Sequence, residues 1–276
     1  MRYIGTSNLD NELIFCQLIK ENSGCASYVI GSAKTRKCIL VDPLMDTERY
    51  ETFLEEKHLD PLALLDTHTH ADHLSGLRYF ARFPNAVLAI HEKAPVNFPS
   101  QKLRDGELLN ERFPDLFFAN YMIKVLYTPG HATDHICLLL LEDGRERKLL
   151  SGDSLFIGDV GRTDLGRGDN DLMYDSLFRK ILKLDPEAEV YPAHVGAKHF
   201  LSSGGVKTQV KIERDTNPAL QTKSREEFEK YMTEGWPPKP SYYEEIININ
   251  LGKLSLLDVQ EEIHKKSGSS LQQARK

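Results

Sequence analysis

Thr67-His68-Thr69-His70-Ala71-Asp72-His73 follows directly on the apolar run Leu62-Ala63-Leu64-Leu65. That run is short, bounded by Pro61 on one side and polar residues on the other, and reads as a buried strand. Where it ends, side chains must splay into a loop, and strand ends in α/β proteins are where chemistry is placed. Imidazole and carboxylate together are donors that a borderline transition metal such as zinc, iron or manganese accepts. A polar loop that happens to be rich in histidine is the alternative, and the strand ends further along the chain weaken it.

Three more apolar strands end in the same way. Val125-Leu126-Tyr127 runs into Thr128-Pro129-Gly130-His131, Leu149-Leu150 into Ser151-Gly152-Asp153, and Val190-Tyr191 into Pro192-Ala193-His194. A single His or Asp at a strand end is usually a turn residue. Repeated in this order, with small-residue turns delivering each side chain, the motifs read as one metal centre.

Upstream, residues 12–19, 25–30 and 37–41 read as an antiparallel meander divided by polar turns. Residues 47–59 have helical periodicity, with Tyr50, Phe53 and Leu54 on one face and His58 partly exposed. After the histidine loop, residues 74–83 read as a helix capped by Ser75, its dipole facing the loop. Residues 86–91 form a strand that ends in a structural His91, and 94–110 read as loop. Asp143-Gly144 is a turn between strands at 135–141 and 147–150. The clearest helix is 170–184, where Leu177, Ile181 and Leu184 share a face before Asp185-Pro186 stops it. A second helix is expected at 224–232, then a Pro-rich stretch at 236–240 and a disordered end at 267–276.

With 276 residues, 40% hydrophobic and 28% charged, the chain can bury a sizeable core. Its net charge of −6 gives no electrostatic case for nucleic acid or an anionic membrane. No run approaches a membrane span and Met1-Arg2-Tyr3-Ile4-Gly5 opens no long apolar leader. The expectation is a cytosolic (cytoplasmic) protein, or a mature form whose signal was removed. Cys16, Cys25, Cys38 and Cys137 contain no C-x-x-C pair and read as buried free thiols outside the metal motifs.

The string His68-x-His70-x-Asp72-His73, followed by His131, Asp153 and His194, resembles the metallo-β-lactamase fold superfamily over roughly residues 10–220. The resemblance implies an α/β (α+β) fold, an αββα four-layer sandwich with a metal cleft at one edge. Residues 1–220 would be the catalytic domain and 221–276 a helical extension packed on it. It further implies that His68, His70 and His131 serve one metal position and Asp72, His73 and His194 the other, with Asp153 able to bridge both. That set is complete for a dinuclear hydrolase, where two zinc ions bridged by hydroxide give a nucleophile at neutral pH. A single ferrous ion on two histidines and one carboxylate instead leaves adjacent open positions for substrate and dioxygen.

Gly161-Arg162-Thr163-Asp164-Leu165, Asn217-Pro218 and Phe228 resemble the persulfide dioxygenase branch of that superfamily. This implies one Fe(II) per subunit on His68, His131 and Asp153, the metal and catalytic residues. His70, Asp72, His73 and His194 would then orient waters and ligands around them. The implied activity is oxidation of a thiol persulfide by O₂ to sulfite and thiol, with glutathione the expected carrier. A hydroxyacylglutathione-type thioester hydrolase using zinc is the alternative, and a scaffold without catalysis would not need every donor kept. Arg162 is the candidate for gripping a substrate carboxylate; the same residues also read as a surface loop with a local Arg162–Asp164 ion pair. Val195-Gly196-Ala197-Lys198-His199 departs from the pattern of glutathione-using relatives, which leaves bacillithiol, coenzyme A or a small persulfide open, with Lys198 and His199 read either as pocket residues or as surface residues. Relatives are often fused to a rhodanese, which residues 254–276 are too few to form; any rhodanese partner is expected as a separate protein. A homo-oligomer is compatible with the chain.

Overall fold

The structure is a computed structural model and describes residues 2–7, 12–20, 23–80, 82–116, 118–195, 206–240 and 242–256. The pocket candidates Lys198 and His199, and the expected disordered end, lie outside the described residues.

β1 (Arg2–Ser7), β2 (Leu13–Ile19), β3 (Ala26–Ser32) and β4 (Lys37–Val41) pair antiparallel in chain order. α1 (Thr47–Glu56) crosses over, so β5 (Asp60–Leu65) returns parallel to β4. β6 (Val87–His91) and β7 (Gln101–Leu103) continue in parallel and complete a mixed sheet of seven strands. After the short α2 (Leu109–Arg112), β8 (Tyr121–Tyr127), β9 (Ile136–Glu142) and β10 (Arg145–Gly152) form an antiparallel meander. Its β9–β10 turn is Asp143-Gly144, both at positive φ as the sequence leads one to expect. α3 (Asn170–Tyr174) continues as wide turns over Asp175–Lys180 and a tight turn over Ile181–Lys183. β11 (Glu189–Pro192) then joins parallel to β10, with β12 (Thr208–Gln209) beyond it, making a second, five-stranded sheet. α4 (Val210–Thr216), α5 (Arg225–Thr233) and α6 (Tyr243–Asn250) come after it.

The alternation of side chains along each strand builds the layers. In β4, Ile39 and Val41 enter a core shared with Ile136, Leu138 and Leu140 of β9, so the two sheets pack face to face. The residues between them point the other way. Cys38 and Leu40 pack under Tyr50, Phe53 and Leu54 of α1, while Cys137 and Leu139 pack against Met173, Leu177, Ile181 and Phe228. Both sheets are therefore covered on both faces, which is why their strands read as unbroken apolar runs. The result is the expected αββα sandwich.

Residues 74–83 are not helical among the described residues. Leu44 bridges Ser75, the Gly76 amide donates to the Pro43 carbonyl at 2.6 Å, and the Ser75 amide donates to Asn250 Oδ1 at 3.0 Å. Neighbouring segments satisfy the backbone there, so no helix and no dipole face the histidine loop. The edge strand β1, the strand β7 inside the expected loop 94–110, and α6 were all unmarked by sequence periodicity. α5 matches its expected span, with Ser224 capping the Glu227 amide and Phe228 and Met232 buried.

Candidate metal centre

The sandwich brings the ends of β5, β8, β10 and β11 to one edge, and with them every motif read from the sequence. The loop after β5 is held from below by buried carboxylates. Asp42 accepts from the Thr67 amide at 2.6 Å and from Thr67 Oγ1 at 2.9 Å, and lies 3.2 Å from His70 Nε2. Asp134 accepts from the Thr69 amide at 3.2 Å and from Thr69 Oγ1, and is itself held by Arg167 at 3.3 Å. From the far end of the chain, Asn250 donates to the carbonyls of His70 and His73, each at 2.9 Å. Sequence reasoning assigned no role to Asp42, Asp134 or Asn250. A buried carboxylate at a strand end looks like a turn residue until its partners are known.

His68, His131 and Asp153 form one group, with one donor atom from each lying within 4.8 Å of the others. His131 Nε2 is 3.5 Å and His68 Nε2 3.9 Å from Asp153 Oδ2. His131 Nδ1 donates to the Arg162 carbonyl at 2.6 Å, which leaves the Nε2 lone pair free to ligate. Burial first, then neighbouring His70 and His131, hold His68 well below the usual imidazole range, so it is a neutral donor. Burial works against ionisation of Asp153, but His194 and His131 outweigh it and bring the carboxyl down to about 2.

Two glycines make this packing feasible. A Cβ on Gly152, at φ +51°, would sit 2.5 Å from His135 Nε2, and one on Gly161 would overlap the Asp153 carbonyl oxygen. His135, which the sequence marked only as the start of a strand, accepts from the Asp153 amide at 2.9 Å and stacks 5.1 Å from His68. Burial pushes it down to about 4, which keeps it neutral for that role.

His68 Nε2, His70 Nδ1 and His73 Nε2 are buried without a hydrogen-bond partner. Orphaned buried nitrogens cost about 1–3 kcal/mol each. A bound metal would take these lone pairs, so the residues present fit one. His70 groups with Asp42 and Asp66 rather than with His68 and His131.

The remaining donors form a second group: Asp72, His73 and His194, together with Cys25. His194 spans the two groups, Nδ1 at 2.8 Å from Asp153 Oδ1 and Nε2 at 2.8 Å from Asp72 Oδ2. His73 Nδ1 is 3.0 Å from Asp72 Oδ2. The cysteine corrects the sequence reading that kept all four thiols away from the metal motifs. Cys16, Cys38 and Cys137 are buried elsewhere, as expected. His91 is also structural, stacked 4.4 Å from Tyr127.

Arg162 reaches the site through its backbone. Its guanidinium holds Asp164 bidentately at 2.6 and 2.8 Å, donates to the Pro237 carbonyl at 3.0 Å and lies 5.7 Å from the Trp236 ring centre. The fork assigned to a substrate carboxylate is thus engaged within the protein, and a substrate would have to displace Asp164.

The chain is 36% identical over 157 residues to a hydroxyacylglutathione hydrolase of Francisella tularensis subsp. novicida (strain U112), a match covering 56% of this chain and 58% of that protein. The alignment therefore spans little more than half the length of these curated relatives. Among solved structures, ETHE1 from Myxococcus xanthus aligns with a TM-score of 0.75 and 29% identity, covering 87% of this chain and 99% of that one. A metallo-beta-lactamase from Staphylococcus aureus subsp. aureus COL gives 0.75 and 27%, covering 88% of this chain and 72% of that one. TTHA1623 in a di-iron-bound form gives 0.56 and 25%, covering 73% and 98%. The Metallo-beta-lactamase superfamily model matches residues 22–194, which carry every donor described above. By that match, over more than half its length, the chain belongs to the metallo-beta-lactamase superfamily.

Proposed function

We propose that this protein is an iron-dependent persulfide dioxygenase acting on glutathione persulfide or a closely similar thiol persulfide. The observation that carries the reading is the composition of the first group, two histidines and one carboxylate, while His70 turns its Nε2 to Asp42 and Asp66. A hydrolytic zinc position of this family would use His70 as its third histidine. The likeness to ETHE1 over 87% of the chain supports the same branch. A ferrous ion on a two-histidine, one-carboxylate face supplies redox chemistry with dioxygen and open positions beside it.

The protein's own residues prepare that face. His135 and Gly152 fix the Asp153 backbone, the Arg162 carbonyl selects the His131 tautomer, and burial keeps His68 unprotonated. His194 lies between the two carboxylates, 2.8 Å from Asp153 Oδ1 and 2.8 Å from Asp72 Oδ2, and orients both. In balance, persulfide, O₂ and water give thiol, sulfite and two protons.

A second reading has its own support. The 36% identity to hydroxyacylglutathione hydrolases, and the free lone pair on His70 Nδ1, favour a two-metal thioester hydrolase. One experiment separates them: oxygen uptake by anaerobically purified, Fe(II)-loaded protein given glutathione persulfide, with sulfite assayed in parallel. Equal O₂ loss and sulfite gain are expected. Absence of O₂ uptake with any persulfide, together with cleavage of S-lactoylglutathione by the zinc form, would replace this reading with the hydrolase.

A further inference from the structure

Cys25 lies just before β3, far in sequence from every metal motif, and the fold carries it into the centre. The backbone on either side of it is stitched across to the segment after β11. Ala26 N donates to the Ala193 carbonyl at 2.7 Å, Val195 N donates to the Gly24 carbonyl at 2.8 Å, and Cys25 bridges His194. Register thus fixes the thiol beside His194. Its Sγ accepts from Ser23 Oγ at 3.1 Å. Donor atoms of Cys25, Asp72, His73 and His194 all lie within 4.8 Å of one another, and His73 Nε2 has no other partner.

We propose that Cys25 is a thiolate ligand which, with Asp72, His73 and His194, completes a four-donor zinc position beside the one formed by His68, His131 and Asp153. Sulfur, two imidazoles and a carboxylate make a softer set than the neighbouring group, and zinc takes four such donors in a tetrahedron. On binding, the thiol proton leaves to solvent as the sulfur–zinc bond forms, with no change of oxidation state. Four protein donors close the tetrahedron and leave no position for a hydroxide nucleophile. The zinc would then be structural, tying β3, the histidine loop and the segment after β11 together. This role is independent of the dioxygenase reading, because its readout is the metal's own coordination.

Two measurements on the full-length protein test it. X-ray absorption of zinc-loaded wild type is expected to show a sulfur neighbour at about 2.3 Å. Cobalt-loaded protein is expected to show thiolate-to-cobalt charge-transfer absorption in the near ultraviolet that is lost in Cys25→Ser and kept in Cys137→Ser. A zinc shell of nitrogen and oxygen only, or a cobalt band that survives Cys25→Ser, would overturn the proposal. The wild-type spectrum decides the question even where the substitution impairs folding.

Discussion

His131 has one nitrogen committed to the Arg162 carbonyl and the other 3.5 Å from Asp153 Oδ2, which leaves that second nitrogen to serve the proposed metal position. His131→Ala is expected to reduce the iron retained through purification to near background, measured by metal analysis; unchanged content would remove it as a ligand. Arg162 differs because its guanidinium already makes three hydrogen bonds within the protein, two of them to Asp164. A clamp on substrate would make Arg162→Ala raise KM for glutathione persulfide far more than for methyl persulfide. The bidentate Asp164 pair leads us to expect the same change for both substrates, that of a loop brace. The Arg162–Asp164 ion pair was one of two readings open in the sequence, and the choice depended on whether a third group would meet the arginine.

At the scale of elements, the sandwich edge depends on how β10, β11 and β12 are joined. Glu189 of β11 sits between Lys148 of β10 and Lys207. Burial would raise its carboxyl, but hydrogen bonds from Lys148, Lys207 and Tyr191 outweigh that and bring it to about 2. The unfolded value is about 4.3. A folded pKa below the unfolded one means that this stabilisation is complete above about pH 4.3 and disappears as pH falls towards 2. Glu189→Gln is therefore expected to lower the urea midpoint at pH 7 and to flatten its decline between about pH 4 and 2. An acid limb identical to wild type would show that the pair contributes nothing. Residues 74–83 give the opposite lesson about elements. Ser75 has the chemistry of a helix cap, but Pro43, Leu44 and Asn250 bind that backbone first.

Across the whole molecule, the last described helix reaches back to the first motif. Ile247 of α6 packs with Ala71 and Leu165, and Asn250 bonds the His70 and His73 carbonyls of the histidine loop. Asn250→Ala leaves two carbonyls and the Ser75 amide without that partner. It is expected to cost about 1–3 kcal/mol of stability and about tenfold or more in metal affinity, read by thermal melts and chelator competition. Wild-type metal affinity would show that the loop holds its shape alone. No helix among the described residues is long and apolar enough to cross a membrane. The sequence by itself determined the strands and the His and Asp side chains at their ends, because strand periodicity and ligand-type residues at strand ends are local patterns, and those motifs carried the resemblance that implied the sandwich. Only the tertiary structure decided how those donors divide, that Cys25 joins one group, and that Asp42, Asp134, His135 and Asn250 hold the centre in shape. Those roles come from contacts between segments as much as 180 residues apart, where no local pattern records which buried polar group will meet which.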